Sequence, residues 1–527
     1  MTDLIPNLSR LARGAVEKQD WATVSSCANQ IFQLDGSSPE AFFLNGLVLK
    51  AARKPGEATQ AFAQALELDP NRYDAAIELA NQHSLARRNA AAADLLSRYE
   101  SSLSNSPLYL DMAGTIYTET GLPERAWPLY ARANELQPGV DLFMANLAAC
   151  GVYLGKIDEA REIYGTLLKR NPNHQRNHYH LARLEKARDE RHVDQMLSVL
   201  QSNSLPDSRN IFLYYAIGKE LEDLGRWQES FKYYRKGGQA VRSVAQYDIA
   251  DDLAAIESVI ENCDRNWLER GTAETPEHKA AVTPLFIVGL PRTGTTLVDR
   301  ILSSHSSVQS LGETQFMQMV IRRVSGVDSP HRVSADIIRS AAAKDIRLIG
   351  QGYLDAVAYR LSDEPHFIDK LPYNVLFLGF IAKAFPHARI VHLHRNALDT
   401  CFAMYKQIFT WAYRFSYSLE DLGRYYVAYD RLRAHWQSVL GERIVEIGYE
   451  TLVDNQERET RRLLDGLGLG FEQPCIDFDK NRTATTSASS VQVRQKIHAE
   501  SVGRWKHFAN ELEPLRAYLE SHGIDVR

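Results

Sequence analysis

A single turn, between an apolar run and a helix, constrains this chain more than any other segment. The apolar run at residues 285–288 ends at Gly289, and a turn with proline and glycine leads into a helix that begins at Thr295. The spacing from Gly289 to Gly294 is that of a phosphate-binding loop, whose amide N–H groups and helix N-terminus bind anions. Thr295 stands where a Walker loop has lysine, and Arg292 supplies a cation from within the loop instead. The sequence therefore predicts an anion site that requires no metal. The absence of the Walker lysine disfavours the alternative interpretation of this loop, a nucleotide kinase or nucleoside triphosphatase.

The composition is that of an ordinary soluble protein. Of 527 residues, 44% are hydrophobic and 24% charged, and the net charge of −5 gives no reason to expect a nucleic-acid partner. No apolar run approaches the roughly 18 residues of a membrane helix, and the first residues lack the form of a signal peptide. The cysteines are odd in number and scattered, which favours reduced thiols: Cys27, Cys150, Cys263, Cys401 and Cys475. We therefore expect a cytoplasmic protein without a transmembrane segment.

The chain up to about residue 240 repeats itself every 34 residues. One series of positions holds small residues: Gly46, Ala80, Gly114, Ala148 and Ala182. A second holds bulky ones: Phe62, Leu96, Tyr130 and Tyr164. Small residues let two antiparallel helices approach, and a bulky residue fills the groove between them. This pattern resembles the tetratricopeptide repeat. The last unit is shifted by two residues, so that Ser230 and Tyr234 take the small and aromatic positions.

The resemblance implies an α-solenoid over residues 1–240 whose concave face binds a peptide or protein. A rigid spacer or a dimerisation arm is the alternative, and the sequence does not indicate the oligomeric state. Residues 241–283 then form a connection, which is first helical and afterwards, in the segment 271–279, solvated.

The region 284–527 alternates between strand-like and helical patterns. The strand-like runs are residues 285–288, 366–369, 389–392 and 444–447. Strands that alternate with helices predict a mostly parallel sheet with helices on both faces, and such sheets bind ligands at the carboxyl ends of their strands. The sequence therefore predicts a phosphate-loop-like α/β domain.

Two motifs in this region resemble those of sulfotransferases. The string Pro-Arg-Thr-Gly-Thr-Thr at residues 291–296 is similar to the family's 5′-phosphosulfate loop. It implies binding by Arg292, Thr293, Gly294, Thr295 and Thr296. The string that contains Arg395, Asn396, Ala397 and Asp399 is similar to the family's 3′-phosphate motif. Its usual serine, eight residues after the arginine, is here Ala403, so a neighbouring hydroxyl or Arg494 would have to replace that contact.

Further positions extend the resemblance to the whole domain. Tyr449 corresponds to the family's tyrosine near the adenine, and Arg494, Gly503, Arg504 and Trp505 correspond to a late loop that closes over the nucleotide. The segment 483–490, which contains Ser489 and Ser490, precedes that loop. Together with the repeats, the chain resembles the bacterial tetratricopeptide-repeat sulfotransferases. This resemblance implies 3′-phosphoadenosine 5′-phosphosulfate as the donor.

The resemblance also implies the catalytic residues. Glu313 stands where tyrosylprotein sulfotransferases have a glutamate base, and Lys370 and Arg292 would stabilise the negative charge on the leaving phosphate. His305 follows a helix and fits a capping or packing role better than a catalytic one.

The sequence thus predicts transfer of a sulfuryl group to a hydroxyl. Peptide tyrosine is the favoured acceptor, a saccharide or lipid hydroxyl stays open, and an interaction scaffold with an inactive domain is the alternative that Ala403 supports. Since every donor-site candidate lies after residue 284, we also expect a chain that begins near residue 241, if it folds, to bind nucleotide but to sulfate its natural acceptor poorly, chiefly through a raised KM.

Overall fold

The structure is a computed structural model that describes residues 4–103, 105–270, 282–409, 412–487 and 489–526. The chain divides into two compact units, Met1–Leu154 and Gly155–Arg527. The predicted boundary near residue 240 therefore differs from the division between the compact units, and the last repeat-like helices belong to the unit that contains the sheet.

The first unit consists of helices that pack in successive pairs. Its helices are α1 (Leu4–Glu17), α2 (Trp21–Leu34), α3 (Pro39–Ala51), α4 (Pro55–Leu68), α5 (Tyr73–Leu85), α6 (Asn89–Tyr99), α7 (Pro107–Glu119), α8 (Pro123–Leu136) and α9 (Asp141–Leu154). A Cβ atom built on Gly46 would lie 2.5 Å from the ring of Phe62, and one built on Gly114 would lie 2.8 Å from the ring of Tyr130. These contacts confirm the predicted packing of small residues against aromatic ones.

The second unit begins with further helices of the same kind. They are α10 (Ile157–Arg170), α11 (Gln175–Ala182), α12 (Arg191–Ser202), α13 (Ile211–Asp223), α14 (Trp227–Val244), α15 (Ile249–Asn262) and α16 (Arg265–Glu269). A Cβ atom built on Gly218 of α13 would lie 2.8 Å from the ring of Tyr234 of α14. The glycine precedes the tyrosine by the same interval as in the first unit, which confirms the shift of the last repeat.

Helices α13 to α16 pack into the same core as the sheet. Tyr215 and Phe231 belong to one buried cluster with Phe402 and Phe508 of the C-terminal region. Trp267 of α16 donates a hydrogen bond from Nε1 to the carbonyl oxygen of Ala342 at 2.8 Å. The helical part of the predicted connection is therefore packed, whereas its solvated segment, residues 271–279, lies outside the described residues.

The remaining elements form the α/β domain that the sequence predicts. The strands are β1 (Thr283–Gly289), β2 (Val308–Ser310), β3 (His366–Lys370), β4 (Arg389–His394) and β5 (Ile444–Gly448). The helices are α17 (Thr295–Leu302), α18 (Phe316–Ser325), α19 (Ala335–Ala342), α20 (Ile346–Val357), α21 (Leu378–Ala384), α22 (Ala397–Tyr405), α23 (Leu419–Leu440), α24 (Tyr449–Asp454), α25 (Gln456–Leu467) and α26 (Ala509–Ser521).

The sheet has the order β2-β3-β1-β4-β5, and every pair of neighbouring strands is parallel. Both faces are covered, since Phe286 and Val288 pack into one buried cluster and Leu285 and Ile287 into another. The chain leaves β1 toward the β3 side and later returns to the β4 side. The carboxyl end of β1 is therefore the point at which ligands bind in sheets of this kind.

Two further predictions can be compared with this fold. All five cysteines are described, buried and unpaired, in agreement with the prediction of reduced thiols. In the part of the chain that the structure describes, no helix is both long enough and apolar enough to span a bilayer.

Candidate active site

The loop between β1 and α17 is held in its shape by two glycines. Gly289 has φ +149°, and a Cβ there would lie 2.5 Å from the carbonyl oxygen of Leu393, so only glycine lets β4 pass this close. Gly294 has φ +100° and stands immediately before α17. Thr293 closes the turn by donating a hydrogen bond to the carbonyl oxygen of Leu290 at 2.7 Å. The first amide N–H groups of a helix have no partner within it, so the end of α17 after this turn can bind an anion.

Arg292 stands in the middle of the loop with φ +71°, a conformation that costs a residue with a side chain about 1–2 kcal/mol. Strained residues of this kind persist where the surroundings fix them, which is common at functional sites. Burial, together with the nearby guanidinium groups of Arg183 and Arg395, lowers the pKa of Arg292 to about 10. Positive charge is therefore concentrated around this loop.

Arg395 follows β4 and lies next to the loop. Its Nη1 donates a hydrogen bond to the carbonyl oxygen of Arg292 at 3.1 Å, and its Nη2 donates to the carbonyl oxygen of Ser501. A carboxylate oxygen of Asp399 is 3.7 Å away. The side chain is 6% exposed, and its Nε has no hydrogen-bond partner among the described residues.

Tyr449 links Arg395 to the loop. A Cβ on Gly294 would lie 2.6 Å from Cδ2 of the tyrosine ring, so the ring rests directly on the glycine. The guanidinium of Arg395 lies 4.8 Å from the centroid of the same ring, a cation–π distance. The Tyr449 hydroxyl is 2.7 Å from the hydroxyl of Ser501. The structure thus brings the two predicted phosphate motifs together around one tyrosine.

The segment 483–490, which is rich in threonine and serine, lies along the loop and α17. Arg292 donates hydrogen bonds to Oγ of Ser489 and, at 2.9 Å, to Oε1 of Gln492. The hydroxyls of Thr296 and Ser487 are 3.2 Å apart. Ala488 within this segment lies outside the described residues. The described part of the segment is therefore attached to the predicted 5′-phosphosulfate loop through hydroxyl groups.

The late loop is attached to the Arg395 side of the site. Asp399 accepts hydrogen bonds from the amides of Gly503 at 2.6 Å and Trp505 at 3.0 Å. Arg504 points elsewhere, since its Nε lies 3.0 Å from Oε1 of Glu222 on helix α13. Two of the predicted residues thus contact the 3′-phosphate motif through their backbone, while the third is paired with a carboxylate.

Arg494 lies away from the contacts of Arg395. It packs against Gly155, where a Cβ would stand 2.6 Å from its Cζ, and it donates to the carbonyl oxygen of Thr483 at 3.3 Å. Burial and the nearby Arg300 and Arg482 lower its pKa to about 10. Ser501 carries a hydroxyl beside Arg395, since its carbonyl oxygen accepts from Arg395 and its Oγ lies 2.7 Å from the Tyr449 hydroxyl.

Glu313 and Lys370 form an ion pair beside the loop. Nζ of Lys370 lies 2.5 Å from Oε1 of Glu313, and the exposed fractions of the two side chains are 1% and 37%. Lys370 ends β3 and is aligned with Ile287, two residues before Gly289 on the neighbouring strand. Because the lysine is buried and the glutamate is accessible, Glu313 is the member of the pair that an acceptor can reach.

Sequence reasoning missed the role of Asp369. This carboxyl group is fully buried and accepts hydrogen bonds from Thr314 at 2.6 Å, Tyr353 at 2.9 Å and Asn374 at 3.2 Å. Burial outweighs these bonds and raises the pKa of Asp369 to about 7. Thr314 directly follows Glu313 in the chain, and Asp369 directly precedes Lys370. The hydrogen bond from Thr314 to Asp369 therefore holds together the two chain segments that carry the ion pair. A charged residue directly after the apolar residues of a buried strand was the available signal.

His305 has a packing role, as the sequence predicts. It is 7% exposed, its Nε2 donates a hydrogen bond to the carbonyl oxygen of Gly470 at 3.0 Å, and its Nδ1 accepts one from the amide of Ser307 at 3.1 Å.

Comparison with known proteins finds a similarity to sulfotransferases. Residues 284–473 match the model of a family described as "Sulfotransferase family". An "Uncharacterized protein" of Aquifex aeolicus (strain VF5) is 27% identical over 79% of this chain and 55% of its own length, so the chain spans about half of that relative. A "Putative protein-tyrosine sulfotransferase" of Caenorhabditis briggsae is 21% identical over 46% of this chain and 89% of its own length. The solved "Sulfotransferase Domain from the Synechococcus PCC 7002 Olefin Synthase" is 17% identical, with a TM-score of 0.33, over 48% of this chain and 99% of that one.

Proposed function

We propose that this chain, whose residues 284–473 match the model of the sulfotransferase family, transfers a sulfuryl group from 3′-phosphoadenosine 5′-phosphosulfate to a hydroxyl acceptor. The observation that carries the proposal is the ion pair of Glu313 and Lys370 at the end of β3, near Arg292 in the loop after β1 and Arg395 after β4. A carboxylate, a buried ammonium group and converging guanidinium groups are the side chains that the transfer of an anionic group needs.

The donor fits the residues that are present. Arg292 and the amides of Thr293–Thr296 would hold the 5′-phosphosulfate, Arg395 would hold the 3′-phosphate, and Tyr449 would lie beside the adenine. The low pKa of Arg292 and the buried Nε of Arg395, which has no partner among the described residues, support this assignment. Both observations indicate cations whose environment would be improved by an anion. We further propose that Ser501 provides the hydroxyl that Ala403 does not.

The chemistry assigned to the protein's own residues is acid–base and electrostatic. Glu313 accepts the proton of the acceptor hydroxyl as the new oxygen–sulfur bond forms. Lys370 and Arg292 offset the negative charge that develops on the 5′-phosphate as its bond to sulfur breaks. Lys370 also fixes the position of the Glu313 carboxylate before the acceptor arrives, since its own side chain is buried and cannot reorient into solvent.

For the acceptor we propose a tyrosine in a peptide or protein. The glutamate base and the similarity to a relative named as a putative protein-tyrosine sulfotransferase support a phenolic hydroxyl. Helix pairs that resemble tetratricopeptide repeats support a peptide, because arrays of this kind bind peptides on their concave face. A saccharide or lipid hydroxyl is the alternative acceptor. An inactive scaffold is the alternative function, and the alanine at position 403 is the observation that favours it.

The test is a transfer assay with the purified full-length protein and sulfur-labelled donor. Tyrosine peptides, a small phenol, an oligosaccharide and a hydroxylated lipid are offered in parallel. We expect label on the peptide and the phenol, and inhibition by 3′-phosphoadenosine 5′-phosphate. Label on the oligosaccharide or the lipid alone would overturn the proposed acceptor. Nucleotide binding without transfer to any acceptor would favour the scaffold.

A further inference from the structure

Helix α13 of the repeat-like region presents a buried carboxylate to the proposed donor site. Glu222 is 5% exposed. Its Oε1 accepts hydrogen bonds from Nζ of Lys406 at 2.6 Å and Nε of Arg504 at 3.0 Å, and its Oε2 accepts one from the Tyr234 hydroxyl at 2.9 Å. One carboxylate therefore holds two cations that come from different parts of the C-terminal domain.

Both cations belong to elements that also hold Arg395. Lys406 directly follows α22, the helix that begins two residues after Arg395. Arg504 stands between Gly503 and Trp505, whose amides are bound by Asp399. The same segment provides the Ser501 carbonyl oxygen that accepts from Arg395. Glu222 is thus connected to the proposed 3′-phosphate site along two routes, one through α22 and one through the late loop.

The charges explain why the position of these cations depends on Glu222. Burial opposes ionisation of Glu222, but Lys406 and Arg504 outweigh it, so the pKa of Glu222 lies below its ordinary value. Burial lowers the pKa of Lys406, Glu222 opposes this, and Arg504 and Arg292 lower the pKa further. Without the carboxylate, Lys406 and Arg504 would repel each other and Arg292 in a poorly solvated place. The late loop would then move away from Arg395.

Stacking contacts attach the same loop to the next repeat-like helix. The ring of His507 stacks on Trp227 of α14 with centroids 4.2 Å apart, and the guanidinium of Arg504 lies 4.9 Å from the centroid of the Trp227 ring. The last helix pair of the repeat-like region thus contacts the loop through charge and through aromatic packing.

We propose that Glu222 is a positioning residue for donor binding, so that the last repeat-like helix pair completes the donor site. This inference rests on the proposed donor. It differs from the expectation that the donor site is formed only by residues after 284, and it gives α13 a role beside the nucleotide in addition to any role toward the acceptor.

The experiment uses full-length protein with Glu222→Gln, which keeps the shape of the side chain and removes its charge. Glu220→Gln is the matched control, because Glu220 is on the same helix, is also 5% exposed, and pairs with His192 at 2.6 Å instead of a donor-site cation. Calorimetry measures the affinities for 3′-phosphoadenosine 5′-phosphate and for 5′-AMP, and urea unfolding verifies the fold of each variant.

We expect Glu222→Gln to reduce the preference for the 3′-phosphorylated nucleotide about tenfold, the size of one coupled interaction, and Glu220→Gln to leave it unchanged. A merely destabilised protein would lose affinity for both nucleotides equally, so the ratio separates positioning from stability. In a double-mutant cycle, Glu222→Gln and Arg504→Gln together should weaken binding by less than the product of their separate effects. If Glu222→Gln does not fold, Glu222→Asp and Arg504→Gln should each lower the same ratio.

The possible failures are distinguishable. Wild-type protein that does not prefer the 3′-phosphorylated nucleotide would overturn the proposed function. Wild-type protein with that preference, together with an unchanged preference in Glu222→Gln, would overturn the role of Glu222 alone. The same holds if the effects of Glu222→Gln and Arg504→Gln are fully multiplicative.

Discussion

The ring of Tyr449 rests on Gly294 so closely that a Cβ on the glycine would lie 2.6 Å from Cδ2 of the ring. Gly294 also has φ +100°, a conformation that side chains disfavour. Both the backbone and the available space therefore require glycine at the residue before α17. The guanidinium of Arg395 lies 4.8 Å from the centroid of the same ring, so one side chain fixes the distance between the loop and the arginine.

Replacement of Gly294 by alanine should disturb both parts of the donor site. We expect Gly294→Ala to lower the free energy of unfolding by about 2–3 kcal/mol, because a strained backbone and a displaced ring add together, and to weaken binding of 3′-phosphoadenosine 5′-phosphate. Gly326→Ala is the control, since Gly326 has φ +69° but open space around its Cβ. It should lose only about 1 kcal/mol and keep its affinity. Urea unfolding and calorimetry measure the two quantities. Wild-type affinity in Gly294→Ala would show that Tyr449 does not position the loop.

The sequence predicted the local elements well because local rules determine them. The loop after β1 and the start of α17 at Thr295 were found from an apolar run and glycine spacing, and the structure has them at those places. The last repeat was also found with its two-residue shift, since Gly218 and Tyr234 meet as Gly46 and Phe62 do. Strand β2 was missed because three residues, of which only Val308 is buried, give no periodic signal.

Contacts between distant residues were not predictable in the same way. Nothing in the sequence near Glu222 shows that its partners are Lys406 and Arg504, about 180 and 280 positions later. The pKa of Asp369 depends on burial, which raises it, and on donors such as Thr314 and Tyr353, which lower it and come from other parts of the chain. Such pairings depend on how the elements pack, and a repeat period or a loop motif does not contain that information.

If Arg395 binds the 3′-phosphate, neither lysine nor a neutral residue should be able to replace it. Lysine keeps the charge but loses the planar group that contacts Tyr449 and two carbonyl oxygens. We expect Arg395→Lys to weaken binding of 3′-phosphoadenosine 5′-phosphate by about 1–3 kcal/mol and to change the affinity for 5′-AMP little. Arg443→Lys is the control, because Arg443 also donates to two backbone carbonyl oxygens, those of Ala382 and Phe385, both at 3.0 Å. Calorimetry measures the affinity for both nucleotides, and an equal loss of affinity for both would argue against a 3′-phosphate contact.

Glu313 should affect the turnover rate but not the affinity for the donor nucleotide. Glu313→Gln keeps an oxygen that can accept a hydrogen bond from Lys370 but removes the base, so turnover should fall roughly 10²–10⁴-fold. The affinity for 3′-phosphoadenosine 5′-phosphate should stay within about twofold of wild type, since the glutamate faces the acceptor. Steady-state transfer with a tyrosine peptide and nucleotide calorimetry provide the comparison. Glu442→Gln, a change at an exposed residue, is the control for the assay. Retained turnover in Glu313→Gln would remove Glu313 from the mechanism.

Asp369 should make the stability of the fold depend on pH. Its carboxyl ionises near 3.8 when the chain is unfolded and near 7 in the folded state, so between these values the folded protein binds more protons. The free energy of unfolding therefore falls as the pH rises from about 4 to about 7, by up to about 4 kcal/mol from this group, and its contribution is constant above that range.

Asp369→Asn should remove this part of the pH dependence. The amide can still accept from Thr314 and Tyr353, and it can donate to Oδ1 of Asn374, an atom with no partner in the described part of the chain. Urea unfolding of both proteins at a series of pH values measures the slope. Asp336→Asn, at a side chain that is 72% exposed, should leave the slope unchanged. Identical slopes for wild type and Asp369→Asn would show that the buried carboxyl does not titrate in this range.

The division of the chain at Gly155 predicts which fragments fold. A fragment that begins near residue 241 loses α13 and α14, and with them Tyr215 and Phe231, whose rings lie 6.5 Å from Tyr417 and 6.3 Å from Phe402. Each buried aromatic side chain contributes about 1.5–3 kcal/mol, and a whole domain is stable by only about 5–15 kcal/mol. We therefore expect fragment 241–527 to be insoluble or unfolded, so that the condition for its nucleotide binding is not met, and fragment 155–527 to unfold cooperatively and bind nucleotide as the full chain does. Urea unfolding tests the fold, and calorimetry tests nucleotide binding. Transfer to a large peptide acceptor and to a small phenol tests the selection of the acceptor. If the first unit gathers the acceptor, fragment 155–527 should show a raised KM for the large acceptor and an unchanged KM for the phenol. A soluble fragment 241–527 with wild-type nucleotide affinity would mean that Glu222 and the aromatic contacts of α13 and α14 are dispensable.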